Sequence, residues 1–493
     1  DRVDTPQVTG AGAPSPAFAD LDGDGRQELL VATDDGHVHA LRAGGGELPG
    51  WPVSTGTASW WHASSPTALA DHIPAPGPAI GIGAPSVADL DGDGSPEVVV
   101  TDLDGGVHVY RADGTVSATM HTDPAYSRQQ DTDERNRMKP GIVGGAALGD
   151  LDGDGRLDVV VASMDRHVYA WHGDGTPLAG FPVLVVDPAR VAAVDPTTDH
   201  VTFRDPDHTG QGGELVATPA LGDLDGDGRP DVVVGSQEQY DETPAVFPGL
   251  GLPGRSGNTR LFAISSHGTA NTAGTAYLPG WPVALPMFLT SVLPTIGDGV
   301  ATQAAIGDVD GDGAPEVVAT SVSGQTMVLD ADGRSAHGRS LGLQLALNWL
   351  GAVGPGTDSA DTAALTSAFG GPAIGHLGSA TGLDVAAPTS GAGRALDTLF
   401  ADDQPGDPQL TAWSGADGSV RAGFPRVTAD IAFFVTPAIA DVDGDGRNEV
   451  VAANGVQTLD AVSGDGTVPA GWPKLTGGWA AGAPGFGAWG GAR

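Results

Sequence analysis

Six stretches of this chain carry carboxylates at positions 1, 3, 5 and 9 of a nine-residue loop, with glycines at positions 4 and 6. The acids are Asp20, Asp22, Asp24 and Glu28; Asp89, Asp91, Asp93 and Glu97; Asp150, Asp152, Asp154 and Asp158; Asp223, Asp225, Asp227 and Asp231; Asp308, Asp310, Asp312 and Glu316; and Asp441, Asp443, Asp445 and Glu449. Alternate aspartates on a tight turn point at one centre, and glycine permits the reversal between them. The backbone carbonyl at position 7 (Arg26, Ser95, Arg156, Arg229, Ala314 or Arg447) can add an oxygen, and the ninth acid closes the shell. Six or seven hard oxygen ligands on a flexible loop suit Ca²⁺; Mg²⁺ prefers a smaller octahedron with retained waters, and Zn²⁺ prefers His or Cys. About six calcium ions are therefore expected. The bland reading is a set of solvated Asp-Gly turns, but a turn does not require acids at all four positions, and so many anions together repel without a cation.

Each loop is followed by a β-branched run such as Val98-Val99-Val100 or Val159-Val160-Val161, so a strand leaves the site where an EF-hand would place a helix. The loops start 69, 61, 73, 85 and then 133 residues apart. The last gap is two periods long, and a degenerate unit lies inside it. Pro372-Ala373-Ile374-Gly375 precedes His376 as Pro219-Ala220-Leu221-Gly222 precedes Asp223; His376, Gly378 and Ala380 replace the first three acids, and Asp384 keeps the ninth.

Every unit reads as four short strands: 16–20, 28–33, 37–42 and 50–54 in the first, and 436–440, 448–453, 456–460 and 471–475 in the last. Several fourth strands open on Gly-aromatic-Pro, as in Gly50-Trp51-Pro52 and Gly280-Trp281-Pro282, where the ring is expected to pack between sheets. Seven four-stranded units predict an all-β seven-bladed propeller over residues 1–493, each blade covering its neighbour's apolar face. A linear solenoid is the alternative, but no capping unit is visible.

The loops, together with Ala84-Pro85-Ser86-Val87-Ala88 ahead of Asp89 and its counterparts, resemble the FG-GAP/VCBS repeat family, related to the propeller of integrin α subunits. That resemblance implies calcium held between the first and second strands of each blade. It leaves activity open, since the family spans adhesins, lectin-like proteins and some polysaccharide lyases.

The formal net charge is −39, and six divalent ions would bring it only to about −27, so a nucleic-acid footprint is disfavoured. Gly and Pro make up nearly a quarter of the chain but fall in regular turns. There are no cysteines, which excludes disulfides and thiolate catalysis. No secretory leader and no apolar run of membrane-spanning length is visible, as expected of a mature secreted or surface-exposed chain that does not insert into a membrane.

Long insertions fall only between a unit's fourth strand and the next unit's first (55–83, 121–143, 184–216, 284–303, 341–370) or between second and third strands (237–258, 388–408). In an up-and-down blade both connections leave from the end opposite the acidic loops, so the insertions should decorate one face and carry binding. Trp60 and Trp61 offer a stacking platform or a loop anchor. Tyr126, Arg128, Arg135 and Arg137 form a basic patch suited to an acidic glycan or protein, or paired with nearby acids. His200, Asp205, Asp207 and His208 match no strong metal spacing and read as a solvated loop. Nucleophile-elbow, phosphate-loop and dinucleotide signatures are absent. The expectation is a calcium-stabilised propeller binding a glycan or extracellular protein, with a polysaccharide lyase or a structural spacer as alternatives.

Overall fold

The computed structural model describes residues 15–33, 36–56, 83–127, 140–206, 213–240, 257–270, 275–287, 299–321, 326–337, 370–379, 381–390, 408–429, 432, 435–455, 457–476 and 482–487. The first sheet comprises β1 (Ala17–Ala19), β2 (Glu28–Ala32), β3 (His37–Leu41) and β4 (Val53–Ser54). The second holds β5 (Ser86–Ala88), β6 (Glu97–Thr101), β7 (Gly106–Tyr110) and β8 (Val116–His121), and the third β9 (Ala147–Gly149), β10 (Asp158–Ala162), β11 (His167–His172) and β12 (Val183–Leu184). A separate hairpin, β13 (Val191–Val194) with β14 (Val201–Phe203), precedes the fourth sheet of β15 (Ala220–Gly222), β16 (Asp231–Gly235), β17 (Gly257–Ile264) and β18 (Val283–Met287). Three strands of the fifth sheet are described: β19 (Ala305–Gly307), β20 (Glu316–Thr320) and β21 (Thr326–Leu329). The sixth holds β22 (Ala373–Gly375), β23 (Asp384–Ser390), β24 (Pro408–Ser414) and β25 (Arg426–Val427); the seventh holds β26 (Ala438–Ala440), β27 (Glu449–Ala453), β28 (Thr458–Ser463) and β29 (Lys474–Leu475).

The seven sheets are antiparallel meanders in chain order, one per repeat. The third unit shows why the second strands read as continuous Val runs. Val159 and Val161 join a core with Val99, Val107 and Val109 of the second sheet. Val160 and Ala162 join another with Val232, Val234 and Phe262 of the fourth. Alternate side chains therefore serve opposite neighbours, and neither face meets water. Six such cores each lie between two consecutive sheets. First strands stand side by side along the series, from β1 beside β5 to β22 beside β26.

The Gly-aromatic-Pro segments do not open the fourth strands as the sequence predicts. They form the turn ahead of them, with Trp51 N–H donating to the Leu48 carbonyl at 3.1 Å and β4 starting only at Val53. The turn is preferred because it aims the aromatic ring at the next unit: Trp51 Nε1 donates to the Ala112 carbonyl at 2.9 Å, and Trp281 Nε1 to that of Ala331 at 2.8 Å. The rings pack between sheets, as expected. In the last sheet the third strand lies at 458–463, slightly beyond the expected 456–460.

The glycine of that segment presses on the next unit's β-turn. A Cβ on Gly280 would collide with the Asp332 carbonyl, and one on Gly50 with that of Asp113. Gly280 also sits at φ +91°, so alanine there is both strained and sterically blocked. Gly280→Ala should cost about 3 kcal/mol, read as a lower urea midpoint. Gly471→Ala, at a similar φ but with only Lys474 Nζ at 3.5 Å beside it among the described residues, should cost only about 1 kcal/mol.

Candidate metal centres

Each acidic loop is held by hydrogen bonds from its own backbone amides to its carboxylates. In the third unit Asp150 Oδ1 accepts from the Gly153 and Asp154 amides at 2.7 and 3.1 Å, while its Oδ2 accepts from Gly155 at 2.8 Å. Asp152 Oδ1 accepts from Asp154 N at 3.1 Å, and Asp154 Oδ1 from Arg156 N at 2.8 Å. The fourth loop repeats this frame through Asp223, Asp225 and Asp227. These bonds fix the backbone turn and gather the carboxylates on one side.

The ninth acid is held differently. Glu28, Glu97, Asp158, Asp231, Glu316 and Glu449 are all buried, at the first residue of the second strand. One oxygen of each accepts from the amide at loop position 2, as in Leu21 to Glu28 at 2.9 Å and Val309 to Glu316 at 2.7 Å. The position-2 side chain is an apolar plug, with Leu21, Leu90, Leu151, Leu224 and Val309 buried. Loop and strand are thus stitched together, leaving each closing carboxylate beside exposed ones.

Ligand oxygens converge in Asp20, Asp22 and Glu28, in Asp89, Asp91 and Glu97, in Asp150, Asp152 and Asp158, and in Asp223, Asp225 and Asp227, each set lying within 4.8 Å of one another. These clusters could hold a metal ion, and the all-oxygen donor set suits a hard cation. Burial pushes Asp231 up to about 6, with the Asp225 charge adding to the effect against the Leu224 and Ser266 amide bonds. Burial likewise raises Glu28, Glu97, Asp158 and Glu316, and neighbouring loop carboxylates push the same way. A cation would relieve both penalties.

The degenerate unit pairs its closing acid with an arginine. Asp384 is fully buried and accepts from the Leu377 amide at 2.8 Å, the same stitch as elsewhere. Arg421 Nη1 donates to Asp384 Oδ1 at 2.7 Å and to Ser379 Oγ at 3.0 Å, while Nη2 donates to the Leu377 carbonyl at 2.9 Å. Ser379 Oγ also bonds Asp384 Oδ1. A guanidinium of the chain itself neutralises the closing acid. Sequence reasoning missed Arg421, yet a signal existed: it stands two residues before Gly423 where other units place Leu48, Leu178 and Leu278, all buried. It also missed His172, which joins Asp152 and Asp154 and whose Nδ1 lies 3.0 Å from Asp158 Oδ1.

Of the expected ligand-binding residues, Trp60, Trp61, Arg128, Arg135 and Arg137 lie outside the described residues, as do Asp207 and His208. Tyr126 is half-buried and stacks on His167 at 4.1 Å, at the end of β10 and β11 remote from the Asp150 loop. His167 is bonded by the Asp165 carbonyl at 2.9 Å and by Asp199 at 3.1 Å. Burial favours its neutral form, but those acids outweigh it and raise the ring to about 9. His200 is buried at the β13–β14 turn while Asp205 is exposed.

Residues 150–234 match the family model of the FG-GAP-like repeat, a span from the third acidic loop into β16. No curated protein matches the chain. The V. cholerae biofilm matrix protein Bap1 is 14% identical over 97% of this chain and 82% of that one, with a TM-score of 0.45. BamB from Moraxella catarrhalis is 12% identical over 94% and 91%, with a TM-score of 0.42. Quinohemoprotein alcohol dehydrogenase from Comamonas testosteroni is 13% identical over 97% and 69%, with a TM-score of 0.49. These are distant likenesses. Among the described residues no helix is long and apolar enough to cross a membrane.

Two outcomes test whether these loops take up a cation. Without an ion, the raised Asp231 contributes stability below about pH 3.8 that is lost as pH rises through about 6. A saturating divalent cation reverses that loss, so the rise in melting temperature it produces should be larger at pH 7.5 than at pH 5. In the sixth unit, Arg421→Met strands a buried carboxylate and should cost about 3 kcal/mol in chemical denaturation, with metal content unchanged.

Proposed function

We propose that the chain is an extracellular, calcium-stabilised propeller whose sheets are blades around a common axis. It binds a glycan or an extracellular protein through the insertions at the ends of the blades remote from the acidic loops. The observation that carries the calcium reading is the contrast at the closing acid. In complete loops such as that of Asp150, Asp152 and Asp158 the chain offers converging carboxylates, and where His376, Gly378 and Ala380 replace the first three acids it supplies Arg421. A cation is thus built into the unit, and the six complete loops draw theirs from solution. Weak oxygen sites of this kind suit the millimolar calcium of extracellular fluid, with dissociation constants of about 10⁻⁴–10⁻³ M.

The binding reading rests on topology. Strand order sends the second-to-third and fourth-to-first connections out of the same ends, and every long insertion belongs to one of those classes. A rigid set of sheets carrying long loops on one side is a scaffold for recognition. A polysaccharide lyase built on the same loops is the second reading, and a spacer without ligand affinity is the third.

Elemental analysis of protein purified in calcium should give six calcium ions per chain; zinc, or no metal after verified loading, overturns the proposal. At about millimolar free calcium each independent site adds about 0.4–1.4 kcal/mol by linkage, so chelation should lower the melting temperature by many degrees. Screening neutral and acidic glycans separates the three readings. Saturable binding without product supports recognition, release of unsaturated sugar ends supports the lyase, and neither outcome leaves protein partners or the spacer.

A further inference from the structure

The third strand of each unit sets one residue opposite the closing acid, and that residue differs from unit to unit. The register pairs Asp158 with His172, Asp384 with Ser414 and Glu449 with Ser463. Elsewhere the printed ladder stops one residue short, pairing Leu29 with Leu41, Val98 with Tyr110, Val232 with Ile264 and Val317 with Leu329. Continued by one step it sets Arg42 opposite Glu28, Arg111 opposite Glu97, Ser265 opposite Asp231 and Asp330 opposite Glu316. The third unit is the one that carries an imidazole at this position.

The side chain placed there acts on the loop in a different way in each case. Ser463 Oγ donates to Glu449 Oε1 at 2.9 Å, a neutral bond to the closing acid. Arg42 Nη2 donates to Asp22 Oδ2 at 2.6 Å, so a fixed cation of the chain engages a carboxylate of the first loop. His172 enters the donor cluster itself. Its Nδ1 lies 3.0 Å from Asp158 Oδ1, and a ring nitrogen lies within 4.8 Å of carboxylate oxygens of both Asp152 and Asp154. The same Asp152 converges with Asp150 and Asp158, so one imidazole and the loop's carboxylates surround a common space. His172 and Asp152 are half-buried and Asp154 is exposed, which leaves the space open to solvent on one side.

The closing acid makes room for the ring. Asp158 is one methylene shorter than Glu28, Glu97, Glu316 and Glu449, and its Oδ2 is already taken by the Leu151 amide at 2.9 Å. The fourth unit shares the shorter acid, but there Asp231 Oδ1 accepts from the Ser266 amide at 3.1 Å, so backbone fills the place that the imidazole fills in the third. That unit's histidine, His267, stands two residues beyond the register position, with Nε2 3.6 Å from Asp227 Oδ2 and outside hydrogen-bond reach.

Calcium prefers hard oxygen donors and gains little from an imidazole nitrogen. First-row transition cations bind imidazole well, with affinity rising from Mn²⁺ through Co²⁺ to Cu²⁺. We propose that the third loop is a mixed imidazole–carboxylate centre, in which His172, Asp152 and Asp154 take a first-row transition cation in preference to calcium. Asp158 holds the ring against the loop, in the pairing of carboxylate and imidazole that orients a metal-ligating histidine and raises its basicity. When no such cation is present the third loop holds calcium like the other complete loops. This rests on the reading that the complete loops take up a cation, and it adds that one of them differs from the rest in which cation it prefers.

Cobalt(II) is the probe. The full chain, without an added histidine tag, is dialysed against cobalt(II) in a large excess of calcium, and both metals are counted. One cobalt per chain should be retained. His172→Ser installs the residue that the seventh unit carries at this position, and should weaken cobalt retention at least about tenfold. Its calcium content in calcium alone and its melting temperature should match those of the parent, which shows that the loop is still formed. His267→Gln should leave cobalt retention unchanged. Complete displacement of cobalt by calcium, equal retention by His172→Ser, or an equal loss in His267→Gln overturns the proposal. Failure of the calcium reading shows separately, as absence of calcium from the parent after loading in calcium alone. The comparison of parent with His172→Ser in cobalt alone then still decides the third centre, since tenfold weaker binding supports it and equal binding overturns it.

Discussion

A carboxylate buried at the foot of the second strand governs every unit of this protein. It faces two demands: the amide at loop position 2 needs an acceptor, and the carboxylate needs a positive partner once water is removed. Leu151 N–H to Asp158 Oδ2 at 2.9 Å meets the first demand and ties the loop to the strand. Arg421 meets the second in one unit, and in the first four units converging carboxylates could hold a cation that would meet it. A neutral residue at the ninth position would spare the cation but lose the ionic acceptor that closes the loop.

That stitch matters because it joins each short first strand to the buried second strand. The first strands are three residues long and only half-buried, while the second and third strands carry the six inter-sheet cores. A short strand contributes little pairing energy, so its position depends on the loop that joins it to the buried second strand. At the outer edge the back-to-back glycines of consecutive units play the matching role. Gly423 and Gly466 leave no room for a Cβ on either side, so two backbones meet directly and set the spacing between sheets.

Much of this was legible in the sequence because it is periodic. Acid spacing and Val runs located the loops and second strands, and the two-period gap exposed the degenerate unit. The inward role of the Gly-aromatic-Pro ring followed from its recurrence, but its start was placed too early, because a turn and a strand edge tolerate proline equally well. What happens once was harder to see. The hairpin of β13 and β14 lies in an insertion with no counterpart in other units, and Val191, Val201 and Phe203 form a small core recognisable only when folded. Arg421 was visible as an arginine in a leucine register, yet its partner Asp384 lies 37 residues away and is found only through the sheet.

The opposite ends of the third and fourth sheets settle their charge entirely from within. Arg166 Nη2 donates to Glu238 at 3.1 Å, Tyr240 Oη donates to the other oxygen of Glu238 at 2.6 Å, and Arg260 Nε donates to Asp187 at 2.7 Å while its guanidinium lies 4.4 Å from the Tyr240 ring centre. All of these side chains are buried, and Arg166 adopts a left-handed φ of 76°. Buried pairs of this kind add little net stability over apolar packing, but losing one partner is costly, so they favour a single arrangement. The two ends of the sheets therefore differ: the acidic loops gather carboxylates that could hold a cation, and at the other end the counter-charge is supplied by arginine and histidine. On the calcium proposal, chelation should consequently loosen the loop ends and their inter-strand stitches while leaving this network in place.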